Sequence, residues 1–262
     1  MEKKYEFSEE TLEIDGHTLH RIVALKDFSD VKKGDLGGFI EKESNLAQDG
    51  DCWVYDDAIA YDNAEIYGNA KVCDNADVYE NAVIYDHAKV GGKADVYGCA
   101  RVHDEAFVCD NAAIYGNACV YGNAAVCGEA KVYGEAMVYG EAEVYGDAKV
   151  CGNAEVYGNA IVFGDTKVCG EAMVYGEAKV YGEAMVCGNA KVEKKSDYIV
   201  FKNWWSSGRY FTWTRSNDMW SVGCFYGTGE KLIKKAYKDS KEKGREYERI
   251  VKYVELIKSE IK

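Results

Sequence analysis

The sequence contains no proline and four histidines in 262 residues, and it has no long hydrophobic run. The chain begins M-E-K-K-Y-E-F, so we expect neither a signal peptide nor a membrane anchor, and we expect a cytoplasmic protein. Only His87 and His103 lie in the central repeat region described next, which excludes a three-histidine metal site within one copy of it. The aliphatic residues are mostly valine, as is typical of a β-rich chain.

The sequence is rich in one six-residue phrase, which fills residues 54–192 in forms such as V-Y-G-E-A-K and V-C-G-N-A-K. Alanine recurs at every sixth position from 58 to 190, except at Thr166. Valine or isoleucine recurs with the same period from 54 to 192, except at Ala60. So strict and short a period predicts a parallel β-solenoid.

Each phrase predicts one short strand followed by one corner. Side chains alternate faces along a strand, so the valine points to one side and its two neighbours to the other. Valine is β-branched and suits a strand that is packed on one face. Glycine, and after it Asn, Asp or Glu, allows the positive φ that a tight corner needs. The alanine then points inward, where there is room for one methyl group.

The spacing of cysteine predicts three phrases in each coil. In the slot after the valine, cysteines occur at 109 and 127 and again at 151, 169 and 187, in steps of eighteen. Tyrosines at 61, 79, 97, 115 and 133 follow the same step. We therefore expect about eight triangular coils, which at ~4.8 Å for each stacked strand form a prism roughly 38 Å long.

The phrase resembles the hexapeptide repeat of left-handed parallel β-helices, in which an aliphatic residue, three turn residues, a small residue and a variable one recur. The left-handed sense is implied by this resemblance, because steric rules alone favour right-handed crossovers. Trimers are common among proteins with this helix, so the resemblance also implies a homo-oligomer, with a homotrimer favoured.

The ten cysteines are expected to be free thiols. Many disulfides would suit a small secreted protein, but most of these cysteines occupy the slot that tyrosine also fills. Side chains stacked in register place their Cβ atoms about one strand spacing apart, slightly more than a relaxed disulfide allows. This interpretation agrees with a reducing, cytoplasmic environment.

Residues 1–53 break the period and are expected to cap the first coil, because a solenoid end exposes strand edges and an apolar core. The phrases A-L-K-D-F-S-D-V-K, G-G-F-I and G-D-C-W resemble the opening of the YdcK-like hexapeptide-repeat proteins. That family is bacterial and prophage-borne and has no defined activity. The resemblance covers about the first sixty residues.

Residues 196–262 predict a small α+β domain made of a three-stranded sheet and two helices. This segment has 14 basic and 9 acidic residues, a net charge of +5. Residues 54–192 have 22 acidic and 9 basic residues, a net charge of −13. The chain is therefore expected to be an acidic rod with a basic end.

The C-terminal domain contains the richest set of candidate ligand-binding residues. Aromatic rings stack on bases and arginines pair with phosphates, so such a set suits an anionic planar ligand such as a nucleotide. Some of these aromatic residues must form the core of the sheet instead. The candidates are Trp204, Trp205, Arg209, Tyr210, Trp213, Arg215 and Trp220.

A second candidate site lies in the solenoid, where His87 and Glu105 are eighteen residues apart and should stack, with His103 nearby. Hexapeptide acyltransferases use a histidine on the β-helix as general base, so the resemblance implies a possible acyl-CoA-dependent transferase with a CoA ester as substrate. The alternative interpretation is that these are outward polar residues of an irregular repeat. No loop insertion builds a pocket near them.

We expect a non-catalytic protein that binds or sequesters a ligand, with no metal and no cofactor. The prophage association of the resembling family implies a role against host defence, in the host cytoplasm, through a nucleotide signal or a host protein. Two alternatives stay open. One is the transferase, and the other is an acidic DNA mimic that inhibits a nucleic-acid-binding host protein.

Overall fold

The structure is a computed structural model that describes residues 3–204 and 207–260. Residues 36–192 form a parallel β-solenoid with three faces, and each coil gives one short strand to each face. This confirms the solenoid expected from the six-residue period, and it is consistent with the left-handed hexapeptide-repeat helix. Within the described residues no helix is long and apolar enough to cross a membrane.

The strands of the three faces are grouped here by sheet. The first face consists of Leu36–Ile40, Ile59–Ala60, Asp77–Val78, Asp95–Val96, Ala113–Gly116, Lys131–Gly134, Lys149–Gly152, Lys167–Gly170 and Met185–Val186. The second face consists of Trp53–Val54, Lys71–Val72, Lys89–Val90, Phe107–Val108, Ala125–Val126, Glu143–Tyr145, Ile161–Phe163 and Lys179–Val180. The third face consists of Glu65–Ile66, Val83–Ile84, Arg101–Val102, Cys119–Val120, Met137–Val138, Glu155–Val156, Met173–Val174 and Lys191–Val192.

The solenoid has about nine coils instead of the eight expected. The extra strand is Leu36–Ile40, which pairs in parallel with Ile59–Ala60. The sequence hides this coil because Gly37 and Gly38 replace the regular phrase. Their backbone passes so close to the next coil that a side chain would not fit: a Cβ atom on Gly38 would lie 2.3 Å from the carbonyl oxygen of Ala58.

The interior is a continuous stack of small aliphatic side chains. Val138 is fully buried and lies in register between Val120 and Val156. The alanines of the repeat are buried as well, and Thr166, which replaces one of them, donates its hydroxyl to the carbonyl of Phe163 at 2.7 Å. Alternation therefore places the residue before each inward valine (the leading slot) and the residue after it (the trailing slot) on the outer surface.

Aromatic residues in the trailing slots form long stacked rows. On the first face the row runs from Tyr61 to Tyr133, with neighbouring ring centroids 4.9–5.1 Å apart. On the third face a row from Tyr67 to Tyr175 includes His103 as one of its stacked rings. Stacked side chains of this kind stabilise strands that pair in register.

The expectation that all cysteines are free is wrong for four of them. Cys109 is bonded to Cys127 and Cys169 to Cys187, while the other six cysteines are thiols. The Cα atoms of the bonded pairs are 4.7 and 4.6 Å apart, which lies within the range that a disulfide spans. The stacking distance of the coils therefore permits the bond that we expected it to prevent.

An antiparallel hairpin of Tyr5–Ile14 and His17–Ala24 precedes the solenoid. Its second strand pairs with Leu36–Ile40, so the hairpin extends the first face at its N-terminal end. Tyr5 and Ile22 are fully buried against the solenoid core. A 3-10 turn follows at Glu43–Asn45.

The described residues of the C-terminal domain form four antiparallel strands, one more than predicted. They are Tyr198–Lys202, Tyr210–Thr214, Met219–Val222 and Phe225–Gly227, after a 3-10 turn at Lys195–Asp197. The short fourth strand follows a turn at Gly223, which has a φ of 56°, and pairs with the third. The nearly continuous apolar sequence M-W-S-V-G-C-F-Y predicts a single strand here, and the turn at Gly223 divides it into two.

Two helices cover one side of this sheet, as predicted. Helix α1 is Gly229–Asp239, and Thr228 caps it by accepting a hydrogen bond from the Lys231 backbone. Helix α2 is Lys241–Ile257, and Ser240 caps it in the same way. Apolar residues of both helices pack on Phe211, Trp213 and Trp220 of the sheet.

The domain is attached to the last coils of the solenoid by hydrogen bonds. The Thr212 hydroxyl accepts from the backbone of Met185 at 2.9 Å, and the Tyr198 hydroxyl donates to the carbonyl of Lys179 at 2.9 Å. The Ser216 hydroxyl accepts from the backbone of Lys191 at 2.6 Å. Met185, Lys179 and Lys191 belong to strands of the first, second and third faces, so the domain contacts all three faces at the C-terminal end of the solenoid.

Candidate functional site

Two of the predicted ligand-binding residues belong to the core of the C-terminal domain. Trp213 and Trp220 are each only 1% exposed. The indole N–H of Trp213 donates to Asp218 at 2.8 Å, which satisfies its one polar atom. A ligand could reach these rings only if the core opened, so we assign both to packing and correct the sequence-based expectation.

The other predicted residues lie at the surface, but they do not form one cluster. Arg209 and Arg215 are exposed at opposite ends of the strand Tyr210–Thr214. Trp204 is 74% exposed, and the Lys202 ammonium group lies 3.7 Å from the centre of its ring and 4.5 Å from that of Tyr210. Trp205 lies outside the described residues.

Arg209 and Tyr210 face a groove of about 540 Å³ between the C-terminal domain and the first face of the solenoid, which we call the C-terminal groove. On the domain side the groove is lined by Arg209, Tyr210 and two glycines. The backbone amide of Asn203, which follows the strand Tyr198–Lys202, donates to the Arg209 carbonyl at 3.0 Å and so fixes the backbone of Arg209 beside the end of that strand. The solenoid side is lined by Glu129, Lys131, Asp147, Lys149, Asp165, Thr166, Lys167, Glu183 and Met185.

A row of three lysines is the main cationic feature of this groove. Lys131, Lys149 and Lys167 occupy leading slots of consecutive coils on the first face and lie in register. Within the described residues, none of these three lysines forms an ion pair. The lysines that pair with carboxylates lie at other positions of the chain. In the part of the chain that the structure describes, no carboxylate therefore lies within ion-pairing distance of these three ammonium groups, which favours binding of an anion.

Carboxylates line the same groove at the neighbouring corner of the prism. Elsewhere the corner glutamates are separated by asparagines that donate to them, as Asn117 does to Glu135 at 2.6 Å and Asn123 to Glu141 at 2.7 Å. At this corner four carboxylates follow one another in consecutive coils, without asparagine between them. They are Glu129, Asp147, Asp165 and Glu183.

The structure confirms the stacking of His87 on Glu105, with 3.5 Å between Nδ1 and the carboxylate. His103 is held differently, because it stacks between Tyr85 and Tyr121 and its Nε2 lies 3.4 Å from the sulfur of Cys119. Its Nδ1 faces Asp104 at 3.3 Å. Both histidines lie on the third face or at its corner, away from the C-terminal groove on the first face.

A second groove, of about 640 Å³, lies under the N-terminal hairpin. Asp77 and Asp95 occupy consecutive leading slots there and lie in register. Partial burial and then the charge of Asp95 raise the pKa of the Asp77 carboxyl to about 6. The leading slots of the first face are therefore acidic near the hairpin and basic near the C-terminal domain.

The side chains of His17, Glu41 and Asp62 are close enough to surround a metal ion. However, the two ring nitrogens of His17 face different carboxylates, Nδ1 toward Glu41 at 2.9 Å and Nε2 toward Asp62 at 3.7 Å. The hydrogen bond to Glu41 raises the pKa of His17. This is the arrangement of an ion-paired imidazole that holds the hairpin to the solenoid.

The lysine row was not predicted as a site. Each lysine fills a leading slot that glutamate, methionine or aspartate fills elsewhere. A single lysine in this slot therefore does not indicate a binding site. Three lysines in steps of eighteen were visible in the sequence, but their position opposite Arg209 depends on how the C-terminal domain packs.

The chain is 44% identical over 62 residues to a protein of Escherichia coli strain K12 named uncharacterized acetyltransferase YdcK. The match covers 21% of this chain and 19% of that protein. No family model matches the chain.

Proposed function

We propose that the protein is a non-catalytic binding protein that holds an anionic planar ligand, such as a nucleotide, in the C-terminal groove. The observation that carries this proposal is the row of Lys131, Lys149 and Lys167, without ion-pair partners among the described residues, opposite Arg209 and Tyr210. Ammonium and guanidinium groups bind phosphates, and the Tyr210 ring offers a face to a base.

The carboxylates of the groove restrict where phosphate groups can bind. The corner row from Glu129 to Glu183 repels anions, so phosphates are expected on the lysine and Arg209 side. A compact diphosphate or cyclic phosphate fits this requirement better than a long nucleic acid strand, which would cross the carboxylate row. Sequestration of such a signal, including one used in host defence, requires tight binding and no chemical step.

The first test is a thermal-shift measurement on the full chain with mononucleotides, dinucleotides, cyclic nucleotides, CoA, acetyl-CoA and single-stranded DNA. A ligand at one hundred times its Kd stabilises the folded state by about 2.7 kcal/mol, which is a readily measured shift. We expect one class of small nucleotide to raise the melting temperature. If none does, the proposal is wrong.

Acyl-CoA-dependent acetyl transfer is the second candidate function, favoured by the name of the matching Escherichia coli protein. In this chain the general base would be His87 or His103. His87 is the better placed of the two, because 58% of its side chain is exposed, while His103 is stacked between two tyrosines.

The two candidate functions predict different fates for acetyl-CoA. A binding protein leaves it intact, whereas a transferase releases CoA from it. We expect no CoA release above background with amine and hydroxyl acceptors, in the wild type or in His87→Ala. Acetyl transfer that His87→Ala or His103→Ala abolishes, with the melting temperature unchanged, would establish the transferase instead.

A further inference from the structure

Three cysteines follow one another in trailing slots of the first face, and two of them form a disulfide. Cys151 and Cys169 are register partners, and the next coil brings Cys187 beside Cys169. Cys169 is bonded to Cys187, and Cys151 is a thiol. A free thiol thus occupies the slot next to one half of an existing disulfide.

We propose that Cys151, Cys169 and Cys187 form a thiol–disulfide exchange site, in which the disulfide moves between Cys169–Cys187 and Cys151–Cys169. Cys169 lies between Cys151 and Cys187 in this row of consecutive coils. Exchange requires a thiolate to attack one sulfur of the disulfide from the side away from the other sulfur, and this order puts Cys151 and Cys187 on opposite sides of Cys169.

The exchange balances without an added oxidant or reductant. Cys151 loses its proton, and its thiolate forms a bond to the sulfur of Cys169 while the Cys169–Cys187 bond breaks. The electron pair of that bond stays on Cys187, which leaves as a thiolate and takes up a proton. The protein keeps the same number of disulfides and thiols.

Tyr133 and Lys149 lie beside Cys151 on the outer surface of the first face. Tyr133 lies in register next to Cys151 in the same row, and a hydrogen bond between the two side chains raises the pKa of Tyr133 to about 12. A phenol that keeps its proton can donate it to the sulfur. Lys149 occupies the leading slot of the same strand and adds a positive charge on the same side of the sheet.

The exchange changes which coils are tied together. In the form described here, the disulfide joins the last coil of the first face to the coil before it. That last coil holds the C-terminal domain through the hydrogen bond between Met185 and Thr212. In the other form the bond joins two inner coils, and no disulfide of this row then reaches the last coil. This site therefore controls a covalent constraint next to the domain interface.

The test maps the disulfides of the native full-length protein. The protein is held at about pH 8.5, near the ordinary thiol pKa, then trapped with acid and a maleimide and digested with trypsin. Cleavage after Lys149, Lys167, Lys179 and Lys191 puts the three cysteines on separate peptides. We expect both linked pairs, Cys169–Cys187 and Cys151–Cys169, in the wild type.

Two variants and an internal control decide the outcome. Cys187→Ser should contain the Cys151–Cys169 disulfide, and Cys151→Ser should contain Cys169–Cys187 only. Cys109–Cys127 is the control, because its neighbours in the same row are Gly91 and Tyr145, and it should keep its partner throughout. The proposal fails if Cys187 is never a thiol in the wild type, or if Cys151 and Cys169 both stay thiols in Cys187→Ser.

Discussion

At the scale of single residues, the inward and outward assignments of the repeat can be tested by one pair of substitutions. Val138 is fully buried between valines, so Val138→Lys buries an unpaired charge and should cost roughly 4 kcal/mol or more. Tyr139 stacks on two outer tyrosines, and Tyr139→Lys should cost only about 1–2 kcal/mol. Urea unfolding measures both values, and equal losses would contradict the assignment.

The aromatic residues of the C-terminal domain allow a similar comparison. Trp213→Ala removes a fully buried ring and should destabilise the protein by about 3–5 kcal/mol. Trp204→Ala removes an exposed ring and should change stability by no more than about 0.5 kcal/mol. A large loss of stability for Trp204→Ala would show that this ring belongs to the core.

Asp77 provides a pH-dependent prediction. Its pKa is raised to about 6, so the folded protein holds this proton more tightly than the unfolded chain, and Asp77 lowers stability as the pH rises from about 4 to 6. Asp77→Asn removes this cost. Because the carboxyl is half-exposed, we expect about 1 kcal/mol of stabilisation at pH 7 and none below pH 4. Chemical denaturation at the two pH values tests this, and a gain that persists at low pH would contradict it.

At the scale of strands and turns, the sequence correctly predicted the features that follow from the six-residue period. Steps of eighteen predicted which residues stack, as the register of Tyr133 with Cys151 confirms. The first coil was missed because Gly37 and Gly38 interrupt the phrase where the backbones pass closest. The strand Phe225–Gly227 was missed because no polar turn sequence separates it from the strand before.

The disulfides show where a spacing argument from sequence reaches its limit. The expected separation of the Cβ atoms was close to the upper limit for a disulfide. A shift of a few tenths of an ångström therefore decides whether the two sulfurs can bond. Mass measurement after alkylation of the denatured, unreduced protein should show six labelled cysteines, since the structure contains two disulfides. Ten labelled cysteines would restore the original prediction that all are free.

At the scale of the whole molecule, the candidate site could be predicted only in part. The sequence identified Arg209 and Tyr210 and the basic character of the C-terminal domain. It could not show that hydrogen bonds such as that of Thr212 to Met185 place this domain beside the lysine row, because that packing depends on the shapes of two parts with separate hydrophobic cores. A homotrimer, implied by resemblance, remains a prediction that light scattering can test.

The most direct test of the account is titration calorimetry of the nucleotide that gives the largest thermal shift. Lys149→Ala and Arg209→Ala should each weaken binding by about 1.5–3 kcal/mol, roughly tenfold to a hundredfold in Kd. Lys89→Ala is the matched control, because Lys89 fills the same exposed slot on the second face and should bind as the wild type does. Unchanged binding by both groove variants, or an equal loss in Lys89→Ala, would contradict the C-terminal groove as the ligand site.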